Sequence, residues 1–558
     1  MILSENENKP SWKDFWADSM VTKFHHLVTD SDTSKKVILN LLDSIEVGNS
    51  CIQVAASDVN ALGGLASVSN LRKAPFYFDG DLLYMDQHFQ LEASLAYNVR
   101  RIVNAPSIEL DSAEFEHLLT DEHQKKSLQV AFKNNLTLIT GGPGTGKTYT
   151  LARIIAGLNK VCNNPRIAMA APTGKAAQRM QEALQSAFSN ESLIKDGLVT
   201  ENLKGLVPVT LHRLLGIGFS GKSTYSKDKK LPFDILVIDE VSMLDLNIAS
   251  QFFNAVADGT RVILLGDPKQ LASVDVGGVL LDLKTSALLE NNQVQLVRSV
   301  RFGDDTAIGR MAKFILNKSD QDTDQATDQA AVHDFIKLID GQSAEIDLIH
   351  ASGNDDCVLK LRNGYNQYAQ QVKNYSLGVC GHDELVASFD KYRILTATKH
   401  GEFGLHHLNS IVSNYLSHST NQDGEWYLGR PVMITQNNYK LGLSNGDIGV
   451  CVHHRENKGE FEVYFQSSNK WIPTTRLPKT IETAYVMTIH KSQGSEFSRV
   501  AVVLDDSDSA SRILSMELIY TAITRAKHEI HLVCGQKALS KSLSVKTTRK
   551  SGLHKKLN

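Results

Sequence analysis

The sequence predicts an α/β protein with two blocks of parallel sheet. Three observations predict it. Over residues 121–295, short apolar runs ending in small or polar residues alternate with helical patterns: "LTLIT", "RIAMAAPT", "DILVIDE" and "RVILLGD". A second series, "RILTAT" (393–398), "AYVMTI" (484–489) and "RVAVVLDD" (499–506), repeats the pattern downstream. Between its members, residues 426–480 break into short strands with turns ("GRPVMITQNN", "SNGDIGVCVHH", "GEFEVYFQS"), which predicts a small β-barrel inserted in the second block. Parallel strands are covered on both faces, so they read as continuous apolar runs, and function gathers at their carboxyl ends.

The elements follow in order. Residues 1–115 mix short helical patterns with a β-like "APFYFDGDLLYM" (74–85) and carry no glycine-rich phosphate loop; they read as a separate domain for docking a partner. The first α/β block is expected over 116–295 and the second over 296–558. Within the second, "NKSDQDTDQATDQA" (317–330) is low in complexity and can bury little apolar surface, so a disordered surface loop is expected. The stretch 536–558 carries Lys537, Lys541, Lys546, Arg549, Lys550, Lys555 and Lys556, with no acid after Glu529. It reads as a solvated tail, with a DNA-backbone contact as the sharper option.

Composition sets bounds. A chain of 558 residues suggests three to four domains at about 150 residues each. The formal net charge of −3 provides no global basic field, so any nucleic-acid contact must be local. No apolar run approaches the ~20 residues of a membrane span, and "MILSENENKPSWKD" lacks a signal-peptide pattern. Six cysteines (51, 162, 357, 380, 451, 534) form no C-x-x-C pair, which argues against zinc, iron–sulfur and disulfide sites and fits a reducing cytoplasm. The histidine pairs His406-His407 and His453-His454 have no acid or cysteine at ligand spacing.

The chemistry starts at "GGPGTGKT" (141–148). Gly141, Gly142, Pro143, Gly144, Thr145 and Gly146 let the backbone turn several N–H groups toward an anion. Lys147 then reaches the β- and γ-phosphates, and the Thr148 hydroxyl binds Mg²⁺. "ILVIDE" (235–240) ends in Asp239, suited to Mg²⁺, and Glu240, suited to orient the attacking water. The next strand runs into "LLGDPKQLASV" (264–274), where the Gln270 amide can read the γ-phosphate. "APTGKAAQRM" (171–180) opens a helix whose N–H groups suit a nucleic-acid phosphate, and "TLHRLLG" (210–216) offers a hydroxyl, an imidazole and Arg213 nearby. In the second block, "VRSVRFG" supplies Arg301 and "ELIYTAITRAK" supplies Arg525. An arginine reaching from another lobe stabilises charge on a transferring phosphoryl group, so the cleft would close on ATP and open on hydrolysis.

Taken in order, "GGPGTGKT", "APTGKAAQRM", "TLHRLLG", "LVIDEVSM", "LLGDPKQLASV", "SVRFG", "GRPVMIT", "LSNGDIG", "TIHKSQGSEF" and "IYTAITRAK" resemble superfamily 1 DNA helicases, and within them the RecD family. The resemblance covers roughly 120–535. It implies two RecA-like phosphate-loop NTPase lobes and an SH3-like barrel near 426–480. It also implies ATP and Mg²⁺ as cofactors, 5′→3′ polarity on single-stranded DNA, and assembly with RecB-like and RecC-like subunits in double-strand-break processing and homologous recombination. Carried over by motif, Lys147, Asp239, Glu240, Gln270, Arg301 and Arg525 serve catalysis; Gln124 reads adenine; Gly494 borders the nucleotide; and Pro172, Thr173, His212, Thr488 and His490 contact DNA. Residues 216–233 lie where such helicases carry a strand-splitting hairpin. Tyr149 departs from the usual threonine, and Asn438 stands where aspartate is common. No cluster of acids plus lysine outside these motifs suggests a nuclease site. A stand-alone RecD-like helicase and a nucleotide-gated structural subunit are the alternative readings.

Overall fold

The computed structural model describes residues 11–68, 73–218, 221–299, 306–319, 328–340, 346–350, 354–419, 424–438, 440–457 and 459–558. At the N-terminal end, β1 (Cys51–Gln53), β2 (Ala66–Ser67), β3 (Phe76–Asp79) and β4 (Leu82–Met85) form a sheet in the order β1-β4-β3-β2. The helices Trp12–Lys23 and Ser31–Glu46 cover it, placing Ala17, Ile38 and Leu41 against Phe76 and Leu83.

The helix Asp86–Asn104 carries an apolar stripe, Leu95, Val99 and Ile102, at helical spacing. The stripe packs into the core of the following block beside Phe252 and Phe253 of the helix Leu246–Ala255. The helix thus bridges the two units: Phe89 near its start stacks on Tyr77 of the N-terminal sheet, while the stripe faces the first lobe.

The first lobe contains β5 (Leu136–Gly141), β6 (Ile167–Ala171), β7 (Val209–Thr210), β8 (Ile235–Ile238), β9 (Arg261–Gly266) and β10 (Gln293–Leu296), all parallel, in the order β10-β5-β9-β8-β6-β7. Register aligns Thr140 with Gly266, Ile238 with Leu264 and with Ala170, and Ala171 with Thr210. All six strands thus end along one edge, which brings together the turns after Gly141, Ala171, Thr210, Ile238 and Gly266.

The second lobe opens with β11 (Ile346–His350) and β12 (Tyr392–Thr396). An antiparallel sheet follows, made of β13 (Pro431–Ile434), β14 (Ile448–His453), β15 (Phe461–Phe465), β16 (Lys470–Pro473) and β17 (Ile481–Thr483), in the order β16-β15-β14-β13-β17. The chain then returns through β18 (Val486–Thr488), β19 (Phe497–Leu504) and β20 (Ala526–Cys534) to complete a parallel sheet, β11-β20-β19-β12-β18. The molecule is therefore a mixed α/β fold with two parallel sheets. No described helix is long and apolar enough to cross a membrane. All six cysteines are free.

Three local expectations change. Residues 317–319 finish the helix Ala307–Ser319, with Lys318 and Ser319 buried, and 328–330 begin the helix Asp328–Asp340; the rest of the D-Q-T stretch, 320–327, lies outside the described residues. The apolar face Ile308, Met311 and Ile315 packs into the second lobe and carries its polar end with it. In 216–233 no described residue belongs to a strand. Instead the Thr224 N–H donates to the Leu215 carbonyl at 3.0 Å and the Leu231 N–H to that of Ala255 at 2.8 Å, folding the segment back on the first lobe. It lacks the alternating apolar pattern that a hairpin ladder needs.

The basic C-terminal stretch is not a solvated tail. The helix Gln536–Ser544 buries Ala538, Leu539 and Leu543, and the helix Leu553–Leu557 buries Leu553 and Leu557 in the first lobe's core. Lys556 pairs with fully buried Glu92 at 3.0 Å and with Asp79 at 3.4 Å, and Lys555 with Asp81 at 2.7 Å. The acids that neutralise the tail lie in the N-terminal part of the chain, out of reach of a local count of charge.

Candidate nucleotide site and nucleic-acid track

The phosphate loop joins β5 to the helix Lys147–Val161. Gly144 (φ 76°) and Gly146 (φ 81°) take left-handed backbone that side chains disfavour. At Gly146 a Cβ would also come within 2.9 Å of the Gln124 amide nitrogen. Gln124 is held there in the first turn of the helix Glu122–Lys133, whose Asp121 cap accepts from its N–H. Lys147 donates to the carbonyls of Gly141 at 2.7 Å and Gly142 at 3.1 Å, which keeps the ammonium over the loop.

Asp239 follows β8 directly. Burial raises its carboxyl, neighbouring Glu240 raises it further, and Lys147 opposes both. Glu240 sits at φ 55°, ψ 41°, a left-handed backbone that costs a non-glycine residue about 1–3 kcal/mol and is found mostly where function requires it. Its N–H donates to Asp239 Oδ1 at 2.8 Å. After β9, buried Asp267 accepts from Gln270 Nε2 at 3.2 Å and from the Tyr520 hydroxyl of the second lobe at 3.1 Å.

The second lobe closes the other side. Arg525 is 2% exposed and donates to the carbonyls of Thr521 and Ser495, both at 3.1 Å. Burial lowers its guanidinium from the ordinary range, while the charges of Glu240 and Glu496 support it. The Leu271 N–H donates to Thr521 Oγ1 at 2.9 Å, and Gln493 Nε2 donates to the Leu271 carbonyl at 2.7 Å. Arg179 of the first lobe pairs with Glu496 at 2.5 Å and donates to the Gly494 carbonyl at 3.0 Å. Between the lobes lies a cavity of about 420 Å³, lined by residues 143–148, Asp239, Glu240, Gln270, Gly494 and Arg525 among others.

The structure thus gathers Lys147, Thr148, Asp239, Glu240, Gln270, Gly494 and Arg525 at one cavity, with Gln124 against the loop. Gly141 and Gly142 support Lys147 from beneath. Arg301 lies outside the described residues. Sequence reasoning passed over Arg179, Asp267, Glu496, Tyr520 and Thr521. Each lies inside a quoted motif, but its partner is in another motif, and motif order carries no pairing.

The residues expected at DNA divide. Thr173, after Pro172, caps the helix Gly174–Phe188 by accepting from the Ala176 N–H at 3.2 Å. Thr488 Oγ1 accepts from the Lys491 N–H at 3.3 Å, and His490 follows in the same turn, its imidazole lowered by burial and by the Arg549 charge. Gly494 (φ 69°) links this group to the nucleotide cavity: a Cβ there would lie 3.6 Å from Thr173 Oγ1. His212 stands apart. It faces a second cavity of about 430 Å³, with His88, Asp245 and Asp275 in its lining. Among the described residues, no group of three or more His, Cys, Asp or Glu side chains could hold a metal by itself.

Fold and site together define a two-lobed phosphate-loop nucleotide-binding protein of the superfamily 1 helicase type. The AAA domain family matches residues 124–276, and the UvrD-like helicase C-terminal domain family matches residues 483–533. The chain is 36% identical to the RecBCD enzyme subunit RecD of Mycolicibacterium smegmatis, over 86% of this chain and 82% of that protein. It is 32% identical to the RecBCD enzyme subunit RecD of Haemophilus influenzae, over 78% and 72%. The structure of Bacteroides Pif1 bound to ssDNA aligns with a TM-score of 0.43 at 16% identity, over 77% of this chain and 95% of that one. The chain belongs to the RecD family of superfamily 1 helicases.

Proposed function

We propose that this chain is an ATP-driven DNA helicase that moves 5′→3′ on single-stranded DNA. It works as the RecD-type subunit of a cytoplasmic helicase–nuclease with RecB-like and RecC-like partners, in double-strand-break repair and homologous recombination. One observation supports this above the others: a buried arginine of one parallel-sheet lobe, Arg525, borders the cavity that the phosphate loop and acid pair of the other lobe line. In this reading the two sheets are RecA-like lobes, the antiparallel sheet β13–β17 is the SH3-like barrel, and the N-terminal part of the chain, 1–115, docks a partner.

ATP would lie with its phosphates on the N–H groups of residues 142–148 and its adenine toward Gln124. Lys147 neutralises the β- and γ-phosphates. Thr148 and Asp239 would hold Mg²⁺, and the donor set fits: a hydroxyl and a carboxylate, with the Glu240 carboxylate beside them, are the hard oxygen donors such an ion takes, and phosphate oxygens would complete the coordination. The ion supplies charge neutralisation at the transferring group. Glu240 orients the attacking water and accepts its proton, and Arg525 stabilises charge as the phosphoryl group leaves. Gln270, bonded to Asp267 and through it to Tyr520, passes loss of the γ-phosphate to the second lobe. Thr173, Thr488 and His490 grip the strand from both lobes, with Pro172 shaping the turn and His212 touching DNA farther along. Closure and opening then become a step.

Tailed duplexes test this reading. A duplex with a 5′ single-stranded tail should be unwound in the presence of ATP and Mg²⁺, and one with only a 3′ tail should not. The opposite preference rejects the polarity, and ATP hydrolysis that DNA leaves unchanged rejects the motor.

A further inference from the structure

The C-terminal segment leaves the second lobe and lands on the first. It starts where the Met516 N–H donates to the Val545 carbonyl at 2.8 Å and Lys546 donates to the Ser319 carbonyl at 3.0 Å. It ends against the N-terminal unit, where the Lys550 N–H donates to Asn49 Oδ1 at 2.7 Å and the Lys550 carbonyl accepts from the Ser50 N–H at 3.0 Å. Between these points Arg549 turns inward. Its guanidinium donates to the Asp275 carbonyl at 2.7 Å, the Gly48 carbonyl at 3.1 Å and the Ser273 carbonyl. Gly48 (φ 88°) leaves the space this requires, since a Cβ there would lie 2.1 Å from the guanidinium.

The gripped loop is the one that follows Gln270. Its first residue, Leu271, is held at N–H and carbonyl by Thr521 and Gln493 of the second lobe. Its later residues, Ser273 and Asp275, are held by Arg549. The loop therefore belongs to the first lobe by sequence and is bonded at two places to chain that comes from the second. Gln493, which holds the Leu271 carbonyl, closes the turn that begins at His490 on the candidate DNA track, its N–H donating to the His490 carbonyl at 3.3 Å.

We propose that Arg549 is a positioning residue that fixes the loop 271–277 and so couples DNA at the His490 turn to Gln270 and the nucleotide. Several carbonyls accept from one planar fork, each by a charge-assisted bond. Lysine, a single point donor, cannot span Gly48, Ser273 and Asp275 together. The plainer account is that Arg549 merely fastens the tail. The two differ in outcome, because tail fastening is also the work of Lys556, which touches Glu92 and Asp79 and not the loop.

The inference rests on the helicase reading above, and its test keeps the two separate. ATP turnover with and without single-stranded DNA, KM for ATP and thermal midpoint are measured on the full-length chain and on Arg549→Ala, Arg549→Lys and Lys556→Met. Coupling predicts that the ratio of DNA-stimulated to basal turnover falls about 10-fold in Arg549→Ala, a usual size for coupling between two sites, with KM for ATP within about two-fold. Arg549→Lys should recover little of the ratio, and Lys556→Met should lower the midpoint while keeping it. The proposal is overturned if the ratio per folded molecule survives in Arg549→Ala, or if Lys556→Met loses it equally. Should Arg549→Ala fail to fold, Arg549→Lys against Lys556→Met decides by the same ratio. An unmodified chain that DNA does not stimulate removes the helicase reading itself, and this inference with it.

Discussion

The two lobes share a parallel-sheet architecture and bring different residues to the cleft between them. In the first, β5 ends in a glycine loop and β8 in an acid pair. In the second, β12 runs through "ATKHGEFG" into the helix Leu405–Ser419, without the Gly-x4-Gly-Lys spacing. Its contribution is a buried cation. Two arginines of this lobe show what that means. Arg393 is fully buried, lies over the Phe389 ring at 3.6 Å and donates to the Ala484 carbonyl at 2.6 Å, so its hydrogen bonds stay inside the lobe. Arg525 is equally hidden, yet it borders the cavity and lies in the field of Glu240 across the cleft. Burying a charge is costly unless it is paired and hydrogen-bonded. Both lobes bring charge of both signs to the cleft, Arg179 of the first pairing with Glu496 of the second and Arg525 of the second lying in the field of Glu240.

Removing the phosphate-loop cation of the first lobe should have the largest effect. Lys147→Gln is expected to keep the fold and abolish DNA-stimulated ATP hydrolysis, read by phosphate release beside an unchanged circular-dichroism spectrum. Glu240→Gln comes next. Losing the group that takes the water's proton should slow turnover by about 10²–10⁴ while nucleotide still binds, measured by equilibrium titration and single-turnover kinetics. Thr521→Val tests the bridge rather than the chemistry. It strands the Leu271 N–H, at a cost of about 1–3 kcal/mol, and should lower the thermal midpoint together with turnover.

The smallest effect is expected at Lys175, half-buried where the lobes meet, with its ammonium 4.9 Å from the Phe497 ring. Burial pushes it down to about 8; Arg393 and Arg179 act in the same direction, against Asp390, Glu182 and the neighbouring Asp447. Between about 8 and the ordinary 10.5 the unfolded chain binds the proton more tightly, so stability rises with pH across that window, and the penalty is full below it. Lys175→Met should flatten that slope and raise stability at pH 7 by on the order of 1 kcal/mol, read by denaturant titration at pH 7 and pH 9.5.

Features that depend on local sequence were legible. The alternation of strands and helices showed the parallel sheets, and the spacing around Lys147, Asp239 and Gln270 marked one cavity before any geometry was known. Pairings across the chain were not legible. Nothing near Arg179 points to Glu496, more than 300 residues away, and nothing near Lys556 points to Glu92. The same limit hid the two-sided packing of the helix Asp86–Asn104, whose Phe89 meets the N-terminal sheet while Leu95, Val99 and Ile102 face the first lobe. His212 shows a different limit: its motif is local and clear, but the cavity it faces is completed by His88 and Asp275 from elsewhere.

If one lobe completes the other's active site, Arg525→Ala is the substitution that exposes it. ATP affinity, turnover and thermal midpoint should be measured on a single preparation. If the arginine acts across the cleft on the transferring phosphoryl group, affinity stays within a few-fold, turnover per folded molecule falls by about 10³–10⁵, and Arg525→Lys recovers little of it. Unchanged turnover per folded molecule, with only a lower midpoint, would make Arg525 a structural cation like Arg393 and contradict the account.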